Sequence, residues 1–459
     1  MSPPLWTSAD IASATGGVAS EAFDTSGVTF DSREVTRGDL FIALKGEASD
    51  GHLFLTQARE RGAGGAVVSV PTPHPPSVLV ADTFIALEDL GRAGRARTGA
   101  TIIGVTGSVG KTSTKEALFA ALERCAPGRA HRSVKSYNNH TGVPLSLARM
   151  PAASLYGVLE MGMNHPGELA HLTQIVRPHI AMVTAIAPAH TAFFPDESAI
   201  ADAKGEIFAG LEPGGTAIVP FDSPHRDRLI AAASPYAADI VTFGLGDGAD
   251  VRAVEMMRTA TGGTFVTARL GDRELSFTVA QPGGHWVSNA LSVLAAVRAA
   301  GGDLGLAGLA LAELGELQGR GARFMASLPG GEALVIDESY NANPASMRAT
   351  LEVLSHETGR HVAVLGEMRE LGEKSDAYHA GLAGPIRDAR VEMAILVGEA
   401  MAPLASALEG QVDFVHVADA AAARDRLNAV LAPGDAVLIK GSNGVGLASV
   451  VAALAGGNG

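Results

Sequence analysis

The sequence predicts an α/β chain of three domains: a small N-terminal α/β domain over residues 1–82, a central parallel-sheet domain of the P-loop type over 83–313, and a C-terminal Rossmann-like domain over 314–459. Three observations predict it. A chain of 459 residues exceeds what one hydrophobic core holds and suits about three domains. Short apolar runs alternate with helix-patterned stretches, as in parallel sheets joined by helical crossovers. A glycine-rich turn lies directly between an expected strand and an expected helix, at Gly104-Val-Thr-Gly-Ser-Val-Gly-Lys-Thr-Ser113.

In chain order, the first domain holds expected strands at Gly27–Phe30, Leu40–Ala43, Gly65–Val70 and Ser77–Val80, with a helix over His52–Arg61. The proline cluster Pro71-Thr-Pro-His-Pro-Pro76 is a loop. The central domain opens with a helix over Phe84–Arg97 and a strand over Thr101–Val105. Further strands are expected at Gly157–Met161, Ile180–Ile186 and Thr216–Pro220. Between 238 and 281 the pattern changes to a β-rich excursion, with short strands at Ile240–Phe243, Val251–Met257, Thr264–Leu270 and Glu274–Ala280. The turn Gln281-Pro-Gly-Gly284 closes it, and a helix over Trp286–Ala300 follows. The third domain alternates strands at Ala333–Asp337, His361–Gly366, Met393–Val397 and Ala436–Lys440 with helices at Pro344–Ser355, Ser375–Arg387 and Ala418–Val430, a doubly wound pattern.

Composition narrows the function. Hydrophobic residues make up 47% and charged residues 18%, with 55 glycines, a globular balance. The net charge is −14 and no Lys/Arg block stands out, which argues against a nucleic-acid partner. Phosphates remain accessible to such a chain through backbone amides and a metal ion. The single Cys125 allows no internal disulfide and fits a reducing cytoplasm; it reads as a buried small hydrophobe near a helix end. The stretch MSPPLWTSAD lacks the basic and apolar regions of a signal peptide, and no run of 18 apolar residues predicts a membrane span.

The turn carries the strongest local signal. Its glycines let backbone fold around phosphate oxygens, and the following helix points N–H groups and its positive dipole end at them. Gly107, Ser108, Val109, Gly110, Lys111, Thr112 and Ser113 form the expected nucleotide loop. Lys111 can reach the terminal phosphates and Thr112 can offer a hydroxyl to Mg²⁺. The strict G-x-x-x-x-G-K-[ST] pattern would need glycine where Val105 stands, so the form here is T-G-S-x-G-K-T. A glycine-rich turn with a surface lysine is the bland alternative.

This loop resembles that of the Mur ligases, the ATP-dependent amide-forming enzymes of peptidoglycan synthesis, and the resemblance runs through all three segments. Its other carriers are Asp31-Ser-Arg33, Gly38-Asp-Leu-Phe-Ile-Ala-Leu-Lys-Gly46, Asp50-Gly-His52, Tyr137-Asn-Asn-His-Thr-Gly-Val-Pro144, Glu160-Met-Gly-Met-Asn-His-Pro-Gly-Glu168, Ala203-Lys-Gly-Glu-Ile-Phe208 and Asp337-Glu-Ser-Tyr-Asn-Ala-Asn-Pro344. It implies a cytoplasmic monomer that uses ATP and two Mg²⁺ ions. The stretches are most similar to the branch that joins D-alanyl-D-alanine to a UDP-N-acetylmuramoyl-tripeptide through an acyl-phosphate and a tetrahedral intermediate.

The resemblance assigns roles. Glu160 ends an apolar strand, where a carboxylate is a hard-oxygen ligand for Mg²⁺; the alternative is a cap on Asn164 or a nearby helix. His190, just past another strand, is implied as a ligand of a second Mg²⁺, although a lone histidine is usually structural. Lys204 matches a lysine that CO₂ carbamylates in the family, converting a group with no acceptor into a metal ligand; otherwise it is a solvated lysine. Lys111, Lys204, His190 and Glu160 form the implied catalytic set. Asn289 is implied at the adenine edge, or is a helix-surface amide, and Trp286 departs from the usual asparagine beside the histidine. Asp337 matches the ribose holder, Tyr340, Asn341 and Asn343 follow in its loop, and Arg320 matches a linker arginine or is a hinge cation. Lys440-Gly-Ser-Asn443 is similar to a K-G-S-R stretch with Asn443 in place of arginine, so a charged contact there is lost or supplied elsewhere. Ser32, Arg33, Asp50 and His52 are implied at the uridine-diphosphate substrate, or form a capped turn. Asn138 and Asn139 are implied sugar or peptide contacts, or turn formers.

Other readings differ in identifiable features. A sister Mur ligase adding a diamino acid would differ around Tyr137-Asn-Asn. A folylpolyglutamate-synthase-like ligase lacks a first domain of this kind. A P-loop kinase or switch GTPase needs the strict loop, and a GTPase also an N-K-x-D stretch, absent here. A non-catalytic nucleotide scaffold would have no use for Glu160, His190 and Lys204 together.

Overall fold

The computed structural model describes residues 3–46, 49–74, 76–188, 191–260 and 262–456. Among them the strands form three sizeable α/β sheets and one two-stranded ribbon. The first sheet runs in the order Val18–Ala19, Ser77–Leu79, Gly65–Val68, Asp39–Ile42, Gly27–Thr29, parallel except at Val18–Ala19. Its apolar runs fall within a residue or two of expectation. The helix expected over His52–Arg61 divides into a 3₁₀ turn, Gly51–Phe54, and a helix, Leu55–Glu60. Asp50 is the reason: its carboxylate accepts from the backbone N–H of His52 and caps the tight turn. A helix at Ser8–Thr15, closed by a Thr7/Asp10 capping box, has no counterpart among the expected elements.

The central sheet has nine strands among the described residues, ordered Arg273–Val279, Thr264–Leu270, Val251–Arg258, Asp239–Gly244, Thr216–Pro220, Ile180–Val183, Thr101–Thr106, Tyr156–Glu160, Ala130–Arg132. The β-rich excursion is an extension of this sheet. Val251–Arg258 pairs parallel with Asp239–Gly244 over two residues, then antiparallel with Thr264–Leu270. The inner strands are buried on both faces, so they read as continuous apolar runs. Helices Lys111–Cys125 and Gly284–Ala299 cover one face, and Glu168–Val176 and Glu197–Gly205 the other. Thr101–Thr106 has later strands on both sides. Strand order therefore reverses there, which opens a crevice at the carboxyl ends of these strands.

The third sheet runs Ala322–Leu328, Gly331–Glu338, Ala436–Lys440, His361–Gly366, Val391–Val397, Asp413–Val417, parallel beyond the first hairpin. Ala436–Lys440 inserts between earlier strands, so this sheet too has a reversal point. The helix expected over Ser375–Arg387 is two pieces, Ser375–Ala380 and Ala383–Asp388. Pro385 has no N–H to give the carbonyl of residue 381, so the first helix cannot continue.

The segments meet closely. The Thr83–Ala96 helix packs with the core of the first sheet and lies so near Gly142–Ala148 that a Cβ on Gly94 would come within 2.3 Å of the Leu147 carbonyl. Trp6 Nε1 donates to the Ala148 carbonyl at 2.8 Å. Across the other junction, Ala192 N–H donates to the Glu370 carbonyl at 3.0 Å and Thr191 Oγ1 to the Leu371 carbonyl at 2.8 Å.

His131, on the edge strand Ala130–Arg132, gives a pH test. Its Nε2 donates to the Ser146 carbonyl at 2.7 Å, and burial pulls its pKa from 6.5 down to about 4. The folded ring is neutral across that interval while the unfolded ring takes up a proton, so stability falls as pH drops from 6.5 toward 4, by at most ~1.4 kcal/mol per pH unit. Urea midpoints across this range should decline less in His131→Gln than in the parent; equal declines would contradict the assignment.

Candidate active site

The phosphate loop turns on two glycines. Gly107 has φ 150° and Gly110 φ 84°, the second in the left-handed region that favours glycine. A Cβ on Gly107 would fall 1.9 Å from Thr184 Oγ1. That hydroxyl donates to the Val109 carbonyl at 2.6 Å, fastening the loop to the end of the neighbouring strand. Gly110 begins the Lys111–Cys125 helix with no side-chain cap. The first-turn N–H groups therefore lack a side-chain acceptor and favour an anion. Ser108 Oγ is buried without a hydrogen-bond partner among the described residues. These features fit a bound phosphate. Lys111 Nζ donates to the Gly107 carbonyl at 2.6 Å. Burial holds its pKa below the usual lysine value, with Glu160 opposing and Arg320 adding to the shift.

Glu160 is 1% exposed. Its Oε2 accepts from Thr112 Oγ1 at 2.9 Å and its Oε1 from Asn138 Nδ2 at 2.8 Å. It does not cap Asn164, whose N–H goes to Glu168 instead. Thr112 and Glu160 thus offer two adjacent oxygens, a hard donor set that fits Mg²⁺. Behind them lies Lys115, fully buried, which sequence reasoning does not single out. Its Nζ donates to the Ser133 carbonyl at 3.1 Å and stands 3.8 Å from Glu160 Oε2 and 3.0 Å from Glu116 Oε1. It sits one helical turn after Lys111, and that spacing is its only signal.

Lys204 is 1% exposed and is not the solvated lysine of the bland alternative. Burial, with Lys111 adding to it, lowers its pKa well below the usual value. A lowered pKa favours the uncharged amine, the nucleophilic form that carbamylation by CO₂ needs, so the buried position fits that modification. His190 lies outside the described residues, and the neighbouring chain resumes at Thr191 against the third domain.

A cavity of about 500 Å³ joins the loop to the third domain. Of the anticipated residues, Ser108, Val109, Gly110, Lys111, Thr112, Asn138, Glu160, Asn289, Arg320, Tyr340, Asn341 and Asn343 all line it. Asn289 lies against the loop, and a Cβ on Gly110 would come 2.9 Å from its Oδ1. Arg320 stacks over Tyr340 at 4.0 Å and donates to Ser136 Oγ at 3.2 Å, bridging the domains. Asn343 also caps the Pro344–Ser355 helix, with its Oδ1 2.9 Å from the Ser346 N–H. Lys440, Glu338, Ser136 and His285 line it as well. Lys440 is buried, with Nζ 3.2 Å from Glu338 Oε2 and 2.9 Å from the Asn341 carbonyl.

Asp337 is buried beneath the cavity. It accepts from Gly319 N–H at 2.8 Å and from Ser339 Oγ at 2.6 Å. Asn139 Oδ1 receives the N–H groups of Thr141 and Gly142, the turn-forming arrangement. In the first domain Ser32 Oγ donates to Gln57 at 2.7 Å. Arg33 forks onto Asp31 with its side chain 82% exposed. His52 is locked, its Nδ1 2.6 Å from Asp50 and its Nε2 accepting from Ser69 N–H at 2.9 Å.

The sequence matches the family models described as Mur ligase middle domain over residues 105–297, Mur ligase glutamate ligase domain over 323–443, and Mur ligase family catalytic domain over 24–89. It is 35% identical to the UDP-N-acetylmuramoyl-tripeptide--D-alanyl-D-alanine ligase of Escherichia coli (strain K12), over 93% of each chain. It is 32% identical to that of Bacillus subtilis (strain 168), over 93% of this chain and 92% of the relative. Among solved structures it is similar to MurF from Acinetobacter baumannii, with a TM-score of 0.85 and 31% identity over 97% of this chain and 98% of that one. It also resembles MurF ligase from Thermotoga maritima in complex with ADP, with a TM-score of 0.77 and 27% identity over 93% and 96%.

Replacing Lys115 with Met removes a buried cation and leaves Glu160 and the Ser133 carbonyl without it. The expected loss is about 3 kcal/mol of stability. Urea unfolding of the variant checks this, and a loss below about 1 kcal/mol would mean that Lys115 does not hold the site together.

Proposed function

Since the chain belongs to the Mur ligase family, we propose that it uses ATP to join D-alanyl-D-alanine to a UDP-N-acetylmuramoyl-tripeptide, a step of peptidoglycan precursor synthesis. One observation carries this reading: a single cavity lined by the phosphate loop, the buried Glu160, and Arg320, Tyr340, Asn341 and Lys440 of the third domain. A phosphoryl donor and an amine acceptor can meet there on opposite walls. Similarity over more than nine-tenths of relatives that carry this name supports the substrate pair.

A carboxylate is a poor electrophile until its oxygen becomes a good leaving group. Transfer of the γ-phosphoryl to the tripeptide carboxylate gives an acyl-phosphate and leaves ADP. The dipeptide amine adds to its carbonyl, and phosphate departs from the tetrahedral intermediate. Lys111 and the helix N-terminus compensate charge as the phosphoryl moves, a mainly electrostatic and positional contribution. Thr112 and Glu160 would hold one Mg²⁺, and His190 with carbamylated Lys204 a second. Mg²⁺, when bound, supplies charge neutralisation on the phosphates. Asn289 orients the nucleotide beside the loop, and Arg320 and Tyr340 close over it. Asp337 serves the ribose side by pinning Gly319 and Ser339. The first domain, through Ser32, Arg33, Asp50 and His52 and with Asn138 and Asn139 at the junction, holds the uridine-diphosphate part. The reading places this reaction in a cytoplasmic monomer, where nucleotide-linked precursors are made. Among the described residues no helix is long and apolar enough to cross a membrane.

Phosphate release from ATP should require the UDP-muramoyl-tripeptide and D-alanyl-D-alanine together; full release without the dipeptide, or none with everything present, would overturn the ligase reading. In Lys111→Ala, turnover should fall by roughly a thousandfold or more with an unchanged unfolding transition. Lys204→Ala should lose activity and regain part of it with added short carboxylic acids. Normal activity in that variant without such acids would exclude the carbamate.

A further inference from the structure

The third-domain sheet edge offers a cation that the mechanism above does not use. Strands His361–Gly366 and Ala436–Lys440 end side by side, with Leu365 opposite Lys440. Their two continuations are tied together. Arg369 N–H donates to Ser442 Oγ at 3.0 Å, and Ser442 N–H donates to the Glu367 carbonyl at 3.2 Å. The Arg369 guanidinium lies against the turn that follows. A Cβ on Gly444 would come 2.0 Å from its Nη1, so a side chain there would displace the guanidinium.

The guanidinium is only partly engaged. Its Nε is 3.3 Å from Glu367 Oε1, and its side chain is 53% exposed. Among the described residues neither terminal nitrogen has a hydrogen-bond acceptor. The neighbouring cations are committed: Lys440 to Glu338 and the Asn341 carbonyl, and Arg320 to Tyr340 and Ser136. Arg369 also lies next to the junction between domains in the chain, since the carbonyls of Glu370 and Leu371 accept from Ala192 and Thr191 of the central domain. Position 443, where the similar K-G-S-R stretch carries its arginine, is asparagine here.

We propose that Arg369 supplies, from the adjacent strand end, the guanidinium that Asn443 lacks, and that it binds the terminal carboxylate of the incoming dipeptide. The proposal rests on the ligase reading above. The attacking amine must point into the cavity while the dipeptide's own carboxylate stays outside the chemistry. A planar fork with two unspent donors suits a carboxylate at that outer end.

The test compares D-alanyl-D-alanine with its C-terminal amide in the full-length enzyme. The parent should prefer the acid in kcat/KM by roughly tenfold or more. Arg369→Ala should lose that preference by raising the KM for the acid, with the KM for ATP unchanged. Arg369→Lys should keep part of it. Adding Asn443→Arg to Arg369→Ala should restore it, which a merely structural role for Arg369 would not allow. Undiminished preference in Arg369→Ala, or no preference in the parent, overturns the proposal. Absence of turnover in the parent with either amine instead overturns the ligase reading beneath it.

Discussion

The site is organised by one buried carboxylate. Glu160 ends a central strand in register with Val105, two residues before the phosphate loop starts at Gly107. A buried charge is tolerated only when donors surround it. Here Thr112, Asn138 and Lys115 do so from three directions. The donors come from two segments: Thr112 and Lys115 from the first and second turns of the loop helix, and Asn138 from the 133–141 loop. Satisfying Glu160 therefore fixes the loop relative to the sheet, and with it the direction in which the helix N-terminus points.

The third domain adds groups that the central sheet cannot supply. Arg320 reaches Ser136 from across the junction, and Asp337 beneath it holds the Gly319 and Ser339 backbone. Two reversal points, one in each large sheet, thus open onto one cavity. In the proposed ligase reading, a phosphoryl donor on one wall and an amine on the other would be brought together by binding itself.

Much of this is legible in the amino-acid sequence alone, and the rest is not for definable reasons. The inner strands read clearly because burial on both faces forces continuous apolar runs, as in Thr101–Thr106 and His361–Gly366. The loop reads clearly because few residues other than glycine accept its conformation. Lys115 is illegible because a lysine on a helix looks solvated unless its carbonyl and carboxylate partners are known. Thr184 and Ser136 are ordinary hydroxyls in sequence and matter only by position. The local partners of His52 and Asn139 are not legible either: the two ring nitrogens of His52 meet Asp50 and Ser69, and the Asn139 Oδ1 accepts from Thr141 and Gly142. The Ser375–Arg387 region carries a helical pattern, and Pro385 divides it.

The central claim is that Gly107–Thr112 seats the triphosphate beside a metal held by Glu160. Crystals grown with a non-hydrolysable ATP analogue and Mn²⁺ test it most directly through anomalous scattering. A manganese peak is expected within coordination distance of Thr112 Oγ1 and a Glu160 oxygen, with the phosphates along the loop. A triphosphate bound elsewhere, or a metal remote from Glu160, would contradict it.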